Sequence, residues 1–160
     1  MYGLDNVDLT WPYIIVFEGV YDSLFVKNAV AVGTKSLSDR QESLIRERYP
    51  AHRICLSFDN DKPGLDAMAK AVEKGGDVLF FRWFDADTSE KDINEKIISS
   101  NNIRLFSARG TLEKRIMTPL QMKMWLIQEK GYTFGKEKIA RQAQPRRRSG
   151  SLISRRALFE

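Results

Sequence analysis

Short hydrophobic runs alternate with amphipathic segments along most of the chain. Runs rich in β-branched and aromatic residues predict four buried strands, at residues 13–17, 28–32, 53–58 and 77–82. The segments that follow predict helices, at about residues 20–27, 39–49, 63–74 and 92–99. Because strands and helices alternate, the pattern predicts an α/β fold with a mostly parallel, four-stranded sheet flanked by helices.

Capping signals support several of these helices. Ser38 with Gln41 three residues later matches a capping box, and Pro50 stops the helix that follows. The pair Gly75-Gly76 ends the next helix. In the C-terminal third, Thr118-Pro119 predicts a helix start.

That C-terminal helix has a hydrophobic face and a matching end signal. Leu120, Met124 and Ile127 fall on one face, and Gly131 stands where a C-cap belongs. Residues 104–109 read as an edge strand or a loop.

Charge divides the chain unevenly. Residues 1–103 carry 12 Lys and Arg against 17 Asp and Glu, whereas residues 104–160 carry 14 against 4. We therefore predict a domain at 1–103, a helical extension at 104–135 and a basic, disordered tail at 136–160. Such a tail suits a polyanionic partner, although a solvated tail that keeps the protein soluble fits equally well.

Composition excludes several classes of protein. No apolar stretch is long enough for a transmembrane helix, and the polar N-terminus is not a secretory signal. The single Cys55 excludes an internal disulfide and fits a reducing compartment. With only one Cys and one His, the chain cannot form a Cys/His zinc site.

Carboxylates follow the predicted strands. Glu18 comes directly after the first strand, and Asp59 and Asp61 follow the third. The carboxyl ends of strands face the ligand crevice in open α/β sheets, and carboxylates that converge there repel one another unless a cation intervenes. The pattern predicts a magnesium site, although each acid alone also suits a helix cap. Glu18 is also a candidate general acid or base.

Glycines and lysines near the same sheet edge suit phosphate. Gly19 permits a tight turn after Glu18, and Gly64 lets a helix start approach a neighbour or a phosphate. Gly33-Thr34-Lys35 offers backbone N–H groups and one cation. Each signal is weak alone, and their shared location gives them weight.

Four motifs in this order resemble the Toprim domain of bacterial and phage-type DNA primases, a Rossmann-like fold shared with topoisomerases and some nucleases. They are Glu18-Gly19-Val20-Tyr21-Asp22, Gly33-Thr34, Phe58-Asp59-Asn60-Asp61-Lys62-Pro63-Gly64-Leu65-Asp66-Ala67 and Lys91-Asp92-Ile93-Asn94-Glu95. The fourth motif favours primases over topoisomerases. Asn94 is uncharged, so the second acidic position of that motif departs from its acidic form.

The resemblance implies roles for these residues. Glu18, Asp59 and Asp61 would be catalytic and would bind Mg²⁺, or Mn²⁺ in its place, with Asp22 and Asp92 in the wider acidic site. Nucleotide or nucleic acid would meet residues of the glycine and lysine motifs, namely Gly19, Gly33, Thr34, Lys35, Lys62 and Lys91. Arg146, Arg147 and Arg148 would contact phosphate or belong to a solvated tail.

Three functions follow from the resemblance. The first is the Toprim part of a phage-type primase, which makes RNA primers on single-stranded DNA from ribonucleoside triphosphates. Its expected partners are a replicative helicase or a separate zinc-binding module, because the chain has no room for that module before the first strand; no membrane is expected. We place this enzyme in the cytoplasm of a bacterium or a phage-infected host.

The second function is a stand-alone Toprim nuclease, and the third is a non-catalytic module that docks on a replication complex through the helix at Leu120–Ile127. In the primase reading, Trp125, Tyr132 and Phe134 are candidates for stacking on bases. For Trp125 we favour packing against the sheet over stacking.

Overall fold

The structure is a computed structural model that describes residues 1–135, so Arg146, Arg147, Arg148 and the rest of the predicted tail lie outside the described residues. Its centre is one five-stranded sheet. The strands are β1 (Tyr13–Phe17), β2 (Ala29–Ala31), β3 (Arg53–Leu56), β4 (Leu79–Phe81) and β5 (Ile116–Met117).

The strand order is β2-β1-β3-β4-β5. β1 pairs in parallel with both β2 and β3, and β3 pairs in parallel with β4. Only β5 is antiparallel among the paired strands of residues 1–135. The predicted α/β fold with a mostly parallel sheet is confirmed, and the predicted number of four strands is corrected to five.

The position of β1 between β2 and β3 determines where a ligand can bind. The chain leaves β1 for β2 on one side, whereas β3 lies on the other side of β1. This arrangement makes the carboxyl ends of β1 and β3 a topological switch point, where open α/β sheets form their ligand crevice.

One 3₁₀-helix and six α-helices surround the sheet within residues 1–135. They are the 3₁₀-helix Leu4–Asn6, α1 (Val20–Ser23), α2 (Asp39–Arg48), α3 (Lys62–Lys74), α4 (Ile93–Ser100), α5 (Arg109–Glu113) and α6 (Pro119–Lys130). The capping box at Ser38 is confirmed, as are the Thr118 cap and the left-handed Gly131 at the end of α6.

One predicted helix is wrong in extent, and one of two alternatives for residues 104–109 is selected. The helix predicted to reach residue 27 ends at Ser23, and a turn follows in which Asn28 adopts a φ of 59° just before β2. The Asn28 side chain holds this turn by hydrogen bonds with the Asp8 N–H and the Tyr13 carbonyl. Residues 104–108 form the loop that was one of the two predicted alternatives and lead into α5, whereas β5 takes the sheet edge next to β4.

Both faces of the sheet are buried, as expected for parallel strands. Along β1, Ile14 and Val16 pack into one hydrophobic cluster, whereas Ile15 and Phe17 pack into a second, larger one. Residues of the predicted extension, including Leu112, Met122 and Leu126, belong to the larger cluster. The segment 104–135 therefore shares its core with the sheet.

Helix α6 buries a different face from the one predicted. Met122, Trp125 and Leu126 are buried, whereas the predicted face is exposed, with Leu120 at 69%, Met124 at 45% and Ile127 at 40%. Trp125 packs edge-on against Phe84 in the core, so our preference for packing over base stacking is confirmed.

No helix within residues 1–135 is long and apolar enough to span a membrane.

Candidate metal and phosphate site

Glu18 and Asp59 lie just beyond the ends of the neighbouring strands β1 and β3. Val16 of β1 is in register with Leu56 of β3, so the chain segments that follow leave the sheet side by side. The Ser57 N–H still donates to the Val16 carbonyl past the end of β3. The structure thus brings the two predicted acidic positions together at the switch point.

Asp61 has a structural bond and an open side. Its Oδ1 accepts a hydrogen bond of 2.8 Å from the Gly64 N–H and so caps α3. Its Oδ2 lies 3.7 Å from the Lys91 Nζ. The cap orients the carboxylate, while the second oxygen stays beside an exposed ammonium group.

Asp92 repeats this arrangement on α4. Its Oδ1 accepts from the Glu95 N–H at 2.9 Å and caps the helix. The capping alternative that the sequence left open therefore applies to both Asp61 and Asp92. It does not exclude binding of a cation, because a carboxylate has a second oxygen.

Asp22 is fixed from the opposite side of the site. Asn94 Nδ2 donates a hydrogen bond of 2.6 Å to its Oδ1. Its Oδ2 lies over Gly19, where an added Cβ would come within 2.7 Å of that oxygen. Gly19 is thus the residue that lets Asp22 approach the end of β1.

Gly64 performs a similar role for the loop after β3. A Cβ on Gly64 would lie 2.2 Å from the Asp59 carbonyl oxygen. Only glycine allows the first turn of α3 to pack directly on the Asp59 backbone. This contact, with the Asp61 cap, positions both acids of the Asp-x-Asp motif.

Asn60 joins the two acidic loops, a role that the sequence did not indicate. Its N–H donates to the Lys91 carbonyl at 2.7 Å, and its Nδ2 donates to the carbonyls of Thr88 and Glu90. The loop that carries Asp59 is therefore tied to the loop that precedes Asp92. The only sequence signal for this role is that an amide side chain stands between the two acids of the Asp-x-Asp motif.

Burial and neighbouring charges raise the pKa of two of the acids, Asp22 and Asp59. Burial, followed by the charges of Asp59, Asp92 and Glu18, raises the pKa of Asp22 from 3.8 to about 6. Burial, followed by Asp61, Asp92 and Glu18, raises the pKa of Asp59 to about 6, although Lys91 opposes this. The five predicted acids thus form one electrostatic cluster.

This cluster is not a closed metal cage. No group of three or more His, Cys, Asp or Glu side chains within residues 1–135 has the geometry to hold a metal ion as it stands. Mutual repulsion without a counter-ion favours such an open arrangement. The donors still fit Mg²⁺, which needs few carboxylates and retains several waters.

Only some of the predicted phosphate-binding residues lie close to the acidic cluster. Gly33 donates its N–H to the Glu18 carbonyl at 2.9 Å, so that group is already used. Thr34 and Lys35 are exposed beside it. Lys62 faces away from the acids, since its Nζ bonds Asp66 Oδ1 and the Tyr132 hydroxyl.

Comparison with known proteins agrees with this geometry. No curated protein matches the chain. The model of the Toprim-like family matches residues 15–97. This range contains every acid of the cluster and the two closely packed glycines, Gly19 and Gly64. Because this match covers more than half of the 160 residues, the chain belongs to the Toprim-like family.

Proposed function

We propose that this chain is the catalytic Toprim part of a primase-type enzyme, which joins ribonucleoside triphosphates into primers on single-stranded DNA. Toprim domains typically bind metal and act on nucleic acids. The observation that carries the proposal is the acidic cluster at the switch point, in which Asp22, Asp61 and Asp92 each keep one carboxylate oxygen outside the bonds that fix them.

Glu18, Asp59 and Asp61 would hold Mg²⁺ in this proposal, with Asp22 and Asp92 around them. A bound Mg²⁺ would neutralise the negative charge that develops on a transferring phosphoryl group. The protein supplies orientation, because helix caps, Asn60 and the two glycines hold the acidic loops before any substrate arrives.

Lys91 favours nucleotide chemistry at this site. Its ammonium lies 3.7 Å from Asp61 Oδ2 and its side chain is 58% exposed, so it can reach a phosphate while it stays next to the acids. A triphosphate brings several negative charges to the cluster, and a neighbouring cation lowers the cost of that approach. We therefore assign Lys91 to triphosphate binding.

A template-dependent priming assay tests the proposal. The full chain is incubated with single-stranded DNA, labelled ribonucleotides and Mg²⁺, alone and with a replicative helicase or a zinc-binding primase module. We expect labelled primers, whose yield falls at least 100-fold in Asp59→Asn and whose KM for nucleotide rises in Lys91→Gln.

The same reaction separates the alternatives. Shortening of the DNA without incorporation would instead establish a nuclease that uses the same acids. If neither primers nor shortened DNA appear with any partner, both enzymatic functions are excluded and a docking role is left.

A further inference from the structure

A groove of about 940 Å³ runs along α3, outside the acidic cluster. One wall is the face of α3 that carries Lys62, Lys70 and Lys74. The other wall is Lys123 of α6 and the segment that follows α6, from Tyr132 to Gly135. Nothing in the metal chemistry above uses this groove.

The groove has more cations than anions. Four lysines line it, against the two acids Asp66 and Glu73. Lys62 pairs with Asp66, and Lys74 pairs with Asp39. Lys70 and Lys123 make no ion pair with any side chain of residues 1–135, so their charges remain available to an anionic ligand.

Two aromatic rings lie among these lysines. Lys62 Nζ stands 4.9 Å from the centre of the Tyr132 ring, and Lys123 Nζ stands 5.1 Å from the centre of the Phe134 ring. Both rings are half-buried and line the groove. A base that stacks on such a ring would have an ammonium group next to its phosphate.

We propose that this groove binds single-stranded nucleic acid, with Lys70 and Lys123 on phosphates and Phe134 stacked on a base. Alternating cations and rings match a strand that exposes both phosphates and base faces. An acidic peptide would use the lysines but would gain nothing specific from the rings, and a duplex would hide its base faces.

The position of the groove suggests where the strand leads. Lys62 at its start directly follows Asp61 of the acidic cluster, and α3 extends from there for 13 residues, or roughly 20 Å. The strand would therefore run from the groove to the acids. This direction rests on the proposed function, whereas binding in the groove does not.

Fluorescence anisotropy of a labelled oligothymidylate with the full chain tests the charges. We expect Lys70→Glu/Lys123→Glu to weaken binding at least tenfold and to reduce the slope of log K against log salt by about 1.4, as for two lost phosphate contacts. The matched control is Arg104→Glu/Lys114→Glu, which makes the same charge change at exposed residues outside the groove. Equal losses in both variants would overturn the proposal.

A second pair of variants tests stacking at high salt, where lysine contacts are screened. Phe134→Ala should weaken binding about 5- to 150-fold, and Phe134→Trp should restore it. Circular dichroism and melting curves confirm that both variants fold. Unchanged affinity of Phe134→Ala, equal affinity for duplex, or full competition by polyglutamate would each refute single-strand recognition.

Asp59→Asn keeps the two proposals separate. It should abolish the reaction at the acidic cluster and leave oligonucleotide affinity within twofold of that of the unchanged chain. If the chain binds the oligonucleotide in the groove but makes no primers, the proposed function alone is contradicted. If the groove variants make primers and bind the oligonucleotide as well as the unchanged chain does, the groove proposal alone is contradicted.

Discussion

Asn94 and Asp22, which are 72 residues apart in sequence, meet through a hydrogen bond of 2.6 Å from Nδ2 to Oδ1. This bond joins the first acidic motif to the fourth. It also explains how an uncharged residue serves at the second acidic position of the fourth motif. Asn94 adds no charge to the cluster, and it holds one oxygen of Asp22 so that the other faces Gly19 and the end of β1.

Asn94→Asp should therefore destabilise the metal-free protein. The change replaces a donor by a carboxylate that faces the Asp22 carboxylate, and we expect a loss of about 1–3 kcal/mol in the free energy of unfolding. Added Mg²⁺ should raise the melting temperature of this variant more than that of the unchanged chain. Thermal melting with and without Mg²⁺ measures both effects.

The double variant Asp22→Asn/Asn94→Asp is the control. It exchanges donor and acceptor, so the hydrogen bond and most of the lost stability should return. If Asn94→Asp alone melts like the unchanged chain, the bond does not position Asp22.

Neutralising one acid of the cluster should have the opposite effect on stability. Asp59→Asn removes a carboxylate whose pKa is raised to about 6, and we expect the metal-free protein to gain about 1 kcal/mol at pH 7 after allowance for its partial exposure. The stabilisation by Mg²⁺ should fall at the same time. Denaturant unfolding with and without Mg²⁺ tests this.

Asp77→Asn is the matched control, because Asp77 is exposed and lies before the start of β4. Its free energy of unfolding should stay within about 0.5 kcal/mol of that of the unchanged chain. A loss of stability in Asp59→Asn would show that its charge is compensated within the folded protein.

The sequence predicts the sheet and its acids because the signals are local. Hydrophobic runs mark β1 to β4, and caps at Ser38 and Thr118 mark the helix starts that the structure shows. The buried face of α6 was missed because both of its faces are apolar. Packing of α6 against α3, β4 and β5 decides which face is covered, and periodicity carries no signal for that.

The contacts that organise the site could not be predicted for a related reason. Asn60 and Asn94 bond partners 28 to 72 residues away, and nothing in the local pattern specifies those partners. The positions of the acids follow from strand ends, and local helix caps orient Asp61 and Asp92. The orientation of Asp22 and the placement of the loop that carries Asp59 depend on these long-range hydrogen bonds.

Stability of the metal-free protein should rise as the pH falls from about 7 to about 4. Asp22 and Asp59 have a pKa of about 6 when folded and 3.8 as the ordinary value, so the folded state binds more protons in this window. Below it the trend should reverse, because Asp8 and Glu90 have a pKa lowered to about 2 by hydrogen bonds with Thr10 and Ser99. The contribution of Asp8 and Glu90 to the free energy of unfolding is lost as their carboxylates become protonated.

Denaturant unfolding across this range in a chelating buffer measures the profile. In Asp22→Asn/Asp59→Asn the rise between pH 7 and pH 4 should flatten, while the fall at lower pH should remain. A profile of the unchanged chain that falls steadily from pH 7 to pH 4 would contradict the raised pKa that burial and neighbouring charges give Asp22 and Asp59.

Gly64→Ala should disrupt the site through its backbone. The new Cβ would lie 2.2 Å from the Asp59 carbonyl oxygen, so either α3 or the Asp59 loop must move, at a cost of about 1–3 kcal/mol in stability. Displacement of Asp59 should also weaken Mg²⁺ binding, measured by calorimetry.

Gly110→Ala is the control. Its Cβ meets open space within α5, so this variant should gain about 0.4–1 kcal/mol in the free energy of unfolding. Equal stability of the two variants would show that α3 and the Asp59 loop can move apart without a loss in the free energy of unfolding.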